Sequence, residues 1–349
     1  MLLSQFSIED FFNDLKENKS IALFVGTGLD STDVYPRGYY EGKNIEELRI
    51  TWKSLLNELI QYACISGVEE KALGDFSSDL KAAVLKQKLE GGYIPIIQEW
   101  LYKRCNKTIL EDSYQQYDQY RRGLCAINDV PFYPLFVIAE SILLQQSIRA
   151  VVTQNYDNFL SETIKILLNY NHDNKYPYRV INPIEIYDGW KEEKFVDNVF
   201  FIYHVHGYIP PTSELKPKPE SNHIVLSQEE FFELGEHVFS WQNATQLFFL
   251  THHTCVLLGL SLNDLTSVRV LKHANLEKSS EKVYVLTAIA SDADIEKQTA
   301  LFMRAKYFEN QRVYFLCDEQ GYPNLYHSLR QTVLENAKNN VFPDNTQKL

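Results

Sequence analysis

The sequence has no apolar run long enough to cross a bilayer. Its longest, such as TCVLLGLSL at 254–262, fall well short of the roughly 20 residues a spanning helix needs. The opening MLLSQFSIEDFFNDLKENKS has scattered acidic residues and neither a basic start nor an apolar centre, so it reads as an amphipathic helix instead of a secretory leader and predicts a cytoplasmic protein. Cysteine is sparse and scattered: five residues at 64, 105, 125, 255 and 317, with no C-x-x-C pair, exclude a thiol redox motif and predict free, buried thiols. Basic residues are outnumbered, 34 against 46 acidic, and the net charge of −12 argues against a general nucleic-acid binder, while leaving room for local basic patches. Internal repeats and low-complexity linkers are also missing.

What remains is an ordinary globular composition. The chain has 349 residues, 45% apolar and 23% charged, enough for a large core in one elaborated domain. Six short runs are apolar almost throughout, as strands covered on both faces should be: IALFV (21–25), AVVT (150–153), FFIYHV (200–205), CVLLGL (255–260), VYVLT (283–287) and RVYFL (312–316). Helical patterns follow the first in WKSLLNELIQYA, the second in FLSETIKILL and the fourth in DLTSVRVLKHA. Strand and helix in alternation predict an α/β fold: a Rossmann-like, doubly wound, mostly parallel sheet.

Residues 66–149 carry helical patterning without a strong strand and predict a helical insertion lobe over one edge of the sheet. The polar segment 171–198 and the loop 210–223 read as surface excursions. The division expected is one domain over 1–349: a core from 15–65 and 150–320, the insertion 66–149, and a C-terminal helix and tail at 320–349.

In such sheets ligands bind at the carboxyl ends of the strands. The first strand runs into FVGTGLDST, where Gly26 and Gly28 form either a tight turn or a phosphate cradle; the third glycine of the dinucleotide fingerprint is missing. The second runs into Thr153, Gln154, Asn155, Asp157 and Asn158. A helix cap at Asp157 or Asn158 accounts for one of these and leaves Gln154 and Asn155 without a task. The third ends in YHVHGYIPP, whose His204 and His206 share a face and suit general-base work, a core hydrogen bond or, with no third ligand in sight, half a metal site. The fourth ends in LLGLSLNDL, with Gly259 and Ser261 at the exit and Asn263 and Asp264 where a helix N-cap would also stand.

GTGLD, TQNYD, HVHG and GLSLND, in that order at four strand ends, resemble the sirtuin family, and in particular its bacterial antiphage-defence branch of sirtuin-like NAD hydrolases. The resemblance covers about 15–290 and implies a site for NAD+. Gly26, Thr27 and Gly28 would line its phosphates, and Gln154 and Asn155, following Thr153, would attend the nicotinamide ribose. Asp157 would hold the carboxamide, His206 would be the general base, and Gly259 and Ser261, with Asn263 beyond, would meet the adenosine ribose. The catalytic set implied is Asn155, Asp157 and His206. Asp30 and Thr27 depart from the family's G-A-G-x-S, which bears on the phosphate and ribose contacts.

Sirtuin deacylases carry a four-cysteine zinc module after the HG histidine. The cysteines of this chain cannot build one, so no zinc module and no metal are expected, and water replaces acyl-lysine as the acceptor. The resemblance therefore implies an NAD+ glycohydrolase, releasing nicotinamide and ADP-ribose, as the effector of an abortive-infection system. A non-catalytic subunit that senses NAD or an ADP-ribose derivative is the alternative; a deacylase or ADP-ribosyltransferase fits less well. Uncontrolled NAD+ consumption would poison the host, so control by homo-oligomerisation or by a separately encoded partner, such as a HerA-type ATPase or another defence subunit, is expected.

Overall fold

Seven short runs of β-branched and aromatic residues pair into one sheet whose strands are all parallel, as the apolar runs predict. The structure, a computed structural model, describes residues 11, 13, 17, 20–29, 50–63, 65–171, 176–188, 198–209, 224–237, 240–260, 262, 265–274, 281–288, 295–309, 312–318 and 322–341. The strands are β1 (Ile21–Val25), β2 (Ile148–Thr153), β3 (Asn182–Ile186), β4 (Val199–His204), β5 (Thr254–Leu258), β6 (Val283–Ala288) and β7 (Val313–Asp318), in the spatial order β3-β4-β2-β1-β5-β6-β7. The central β1 pairs with β2 on one side and β5 on the other, so the winding reverses between β1 and β5. This is a Rossmann-like α/β fold.

Alternation along β1 divides its side chains between two cores. Ile21, Leu23 and Val25 enter the larger one, and Ala22 and Phe24 the smaller one on the opposite face. The helices are α1 (Trp52–Tyr62), α2 (Gly67–Gly74), α3 (Ser78–Leu89), α4 (Tyr93–Arg104), α5 (Lys107–Arg121), α6 (Tyr133–Leu144), α7 (Phe159–Asn169), α8 (Gln228–Glu236), α9 (Trp241–His252), α10 (Leu265–His273), α11 (Ile295–Glu309) and α12 (Tyr322–Val341). Buried residues of α1, α3 to α7 and α12 fill the larger core, and those of α9, α10 and α11 fill the smaller.

Local chemistry sets where these helices begin. Thr51 caps α1 with a reciprocal pair: its hydroxyl accepts the Ser54 N–H at 3.1 Å while the Ser54 hydroxyl accepts the Thr51 N–H at 3.0 Å. Ser66, Ser77, Asn106 and Ser227 cap α2, α3, α5 and α8 through their side chains in the same sense.

Two expectations change. The polar segment 171–198 contains β3, the edge strand beside β4; NPIEI alternates only weakly and begins with a proline dipeptide, which an edge tolerates. Of the helices of 66–149, α6 lies on a face of the sheet, with all twelve of its residues buried, against α7 and α12.

That burial includes the Glu140 side chain. Its carboxylate accepts from the Tyr117 hydroxyl at 2.7 Å, the Tyr178 hydroxyl at 2.8 Å and Arg330 Nε at 2.7 Å, with Arg121 at 3.5 Å. Burial alone would push this carboxyl up, but the two guanidinium groups and two hydroxyls pull it below the usual range. Glu140 is thus a charged tie between α5, α6, α12 and the chain after α7.

Candidate active site at the carboxyl ends of the strands

The chain leaves β2 at Thr153 and is bound to β1 at once. The Thr153 hydroxyl donates to the Val25 carbonyl at 3.1 Å, and the Gln154 N–H donates to the same oxygen at 3.0 Å. Thr153 Oγ1 also accepts the Asn155 N–H at 3.0 Å. These bonds turn Asn155 inward, and it is buried while Gln154 stays partly exposed. Asp157 Oδ1 accepts the Phe159 N–H at 3.1 Å, so of the two capping candidates Asp157 serves α7, and Asn158 makes no side-chain cap bond.

Asp157, Asn155 and Asn158 line a recess with Thr153, Ser161, Glu185 and His204 above an apolar floor of Val25, Leu135, Leu160 and Ile202. Burial raises the Asp157 carboxyl to about 6, only partly opposed by the Phe159 N–H and by His204. Two buried acceptors in this recess, Asn158 Oδ1 and Glu185 Oε1, have no hydrogen-bond donor among the described residues. Unpartnered buried acceptors fit a ligand that brings N–H or O–H donors of its own.

His204 is the most enclosed of these groups, 1% exposed. Its Nδ1 donates to the Asn155 carbonyl at 2.8 Å, and its Nε2 meets Glu185 Oε2 at 2.6 Å. Burial works against a charged ring here, but the Glu185 carboxylate, the Asn155 carbonyl and Asp157 outweigh it and raise His204 above its ordinary range.

His206 lies elsewhere. β4 ends at His204, and His206 sits two residues on, in a turn completed by Gly207 at φ +100°, where an L side chain would be strained. It is buried, and its carbonyl accepts the Val225 N–H at 2.9 Å. Tyr156 stitches the same turn: its hydroxyl donates to the Val225 carbonyl at 2.6 Å, and its carbonyl accepts the Ile209 N–H at 2.6 Å. His206 thus adjoins the chain after β2 without lining the recess.

The glycine turn meets the β5 exit backbone to backbone. Gly26 N–H donates to the Leu258 carbonyl at 2.9 Å and Gly28 N–H to the Gly259 carbonyl at 3.0 Å. A Cβ on Gly28 would stand 2.7 Å from Gly259 Cα, and Gly259 itself has φ +64°. These three glycines are therefore required by close approach of two loops at the reversal of the sheet, and two of the amides expected to cradle phosphate are already committed. Thr27 is exposed beside them. Asp30, Ser261 and Asn263 lie outside the described residues.

Reading the sequence alone missed Glu185, His204 and Asn158 as members of one cluster. The signal for His204 was present in HVHG. Glu185 had none, because its strand was not recognised. No group of three or more His, Cys, Asp or Glu suited to a metal ion occurs among the described residues.

The buried polar cluster lies beyond the carboxyl ends of two inner strands of a parallel sheet, the place where Rossmann-like folds hold their ligands. Residues 149–315 match the family model of the SIR2-like domain, a span that runs from β2 into β7 and includes the whole recess except Val25 and Leu135. This stretch, just under half of the chain, is similar to a SIR2-like domain; such domains bind NAD, and the family includes NAD-dependent enzymes. No curated protein matches the chain. The glycine turn after β1 lies outside the matched span.

Proposed function

We propose that this chain is an NAD+ glycohydrolase, cleaving NAD+ to nicotinamide and ADP-ribose, and that it acts as the effector of an antiphage abortive-infection system under the control of self-association or of a partner protein. The observation that carries the reading is the buried cluster after β2, in which Asn155 and Asp157 face a recess holding acceptors without donors, within a SIR2-like domain. Cleavage at the nicotinamide–ribose bond expels a neutral leaving group and needs no acid, so the protein's task is orientation and support of positive charge on the ribose.

Asn155 would hold the ribose hydroxyls or a water beside the bond that breaks. Asp157, with its carboxyl at about 6, is largely ionised at neutral pH and would accept from the carboxamide. Asn158 and Glu185 offer further buried acceptors on the same wall. His206, in the turn next to Tyr156, would take the proton of a ribose hydroxyl or of the attacking water. Gly26, Thr27, Gly28 and Gly259 would shape the far end of the crevice. There the committed amides of Gly26 and Gly28 leave side chains and the following residues to meet the phosphates.

The test is nicotinamide release from NAD+ by the purified chain, alone and with the product of the neighbouring gene, for the wild type, Asn155→Ala and His206→Ala. Release abolished by both substitutions supports the hydrolase. NAD+ bound without any release moves the assignment to a sensing subunit, and transfer of ADP-ribose to protein moves it to a transferase.

A further inference from the structure

We propose that Glu185 and His204 form a positioning pair, in which the His204 ring, a donor from both nitrogens, locks the Asn155 carbonyl and so sets the peptide that carries Asn155 and Asp157. The proposal rests on the reading of this recess as the NAD+ site and adds to it two residues that act through the backbone. A carbonyl oxygen can only accept, so Nδ1 carries a proton; the carboxylate at 2.6 Å takes the second from Nε2. A ring satisfied in this way is an imidazolium between two acceptors, and it has no lone pair left to serve as a base.

Topology explains the arrangement. β4 lies between β3 and β2, with Ile202 opposite Glu185 and His204 opposite Thr153. One ring at the end of the middle strand thus reaches a carboxylate on one neighbour and the loop leaving the other. The Tyr208 ring packs on His204 with centroids 4.7 Å apart, and Tyr187 stacks on Tyr208 at 5.0 Å, so the histidine ring is covered while the Glu185 side chain stays 13% exposed.

The charged and titratable groups around the ring are Glu185 from β3, Asp157 from the β2–α7 loop and Tyr208 from the chain after β4, with Tyr187 and Glu162 of α7 beyond. The two carboxylates favour the charged ring. Since the raised His204 keeps its second proton up to a higher pH than a free histidine, the lock is complete on the acid side and is lost as pH rises through that higher value.

Three variants of the full chain separate this role from packing. Asparagine at 204 offers its amide N–H near the Nδ1 position, and glutamine offers one near Nε2. The measurements are the pH profile of nicotinamide release, with kcat and KM resolved, and the ring-nitrogen NMR titration of histidine-labelled protein. Expected for His204→Gln is a fall in kcat of about 10- to 100-fold with KM nearly unchanged, while His204→Asn keeps most of the activity. For Glu185→Gln, the ring titration and the alkaline limb of kcat should move down together by about one pH unit or more.

A His204 ring that titrates as a free histidine and ignores Glu185→Gln would overturn the pair. So would equal losses in His204→Asn and His204→Gln with an unmoved pH profile. If the wild type releases no nicotinamide under any condition, the hydrolase reading fails by itself, and the backbone carbonyl 13C shift of Asn155 decides. Displacement of that shift in His204→Gln but not in His204→Asn supports the pair, and no displacement in either overturns it.

Discussion

Two buried carboxylate clusters lie on the sheet and its helices, and they are finished differently. At Glu140 both oxygens are met by donors, two tyrosine hydroxyls and Arg330, and the Arg121 guanidinium stands 3.5 Å away as a second counter-charge. At the end of β2 and β4, Asp157 is held above its usual range, and Glu185 Oε1 and Asn158 Oδ1 lack donors among the described residues. A buried charge with every lone pair satisfied ties elements together, whereas one left partly unsatisfied costs stability and awaits a ligand. The sign of the carboxyl shift, down at Glu140 and up at Asp157, separates the structural cluster from the candidate site.

The largest expected effect comes from breaking the satisfied cluster. Glu140→Ala leaves two buried guanidinium groups uncompensated and should lower unfolding stability by about 3–5 kcal/mol in urea titrations. Because the folded carboxyl lies below its unfolded value, the wild-type contribution is present above the unfolded carboxylate pKa and is lost as pH falls through the folded one. A loss below about 1 kcal/mol would erase the contrast between the two clusters.

Asp157→Asn should do the reverse. The amide oxygen keeps the bond from the Phe159 N–H, while the buried charge is removed. Between the unfolded carboxylate value of 3.8 and about 6 the folded protein binds the extra proton, so wild-type stability falls as pH rises through that window. The variant should match the wild type near pH 4 and exceed it at pH 8 by about 1–3 kcal/mol, while nicotinamide release falls. Thermal melts at the two pH values check it, and a variant destabilised at pH 8 would place Asp157 with Glu140 as a structural charge.

The glycine contact sharpens the comparison from a third side. Gly28→Ala forces a Cβ against Gly259 and should cost about 1–3 kcal/mol, with no dependence on pH since no charge is involved. Denaturant midpoints across pH 5–8 test this.

How much of this was legible beforehand follows from which signals are local. Six of the seven strands show as apolar runs, because a strand covered on both faces must be apolar throughout, and IALFV or CVLLGL can hardly be anything else. The edge strand NPIEI is covered less, so the same rule hides it, and Glu185 with it. TQNYD announces itself because a helix cap accounts for only one of the hydrogen-bonding side chains gathered after an apolar strand. The sequence leaves open whether Asp157 or Asn158 caps α7, and it cannot tell that His204 and not His206 lines the recess, which depends on where β4 stops. Nor could it tell that Gly26 and Gly28 spend their amides on the β5 loop, a contact made across more than 200 residues of chain.

The central claim is that the unfinished cluster does the chemistry and the finished one only holds the fold. Asn155→Ala keeps the main-chain N–H and carbonyl that bond Thr153 and His204, so these two ties of the loop remain. Nicotinamide release from NAD+ should therefore be measured for the wild type, Asn155→Ala and Glu140→Gln in parallel, with a melting curve for each. The account predicts that Asn155→Ala loses about 10²- to 10³-fold in release with its melting temperature nearly unchanged. It predicts that Glu140→Gln melts lower yet turns over normally well below its transition. Release that survives Asn155→Ala, or that vanishes in a still-folded Glu140→Gln, would contradict it.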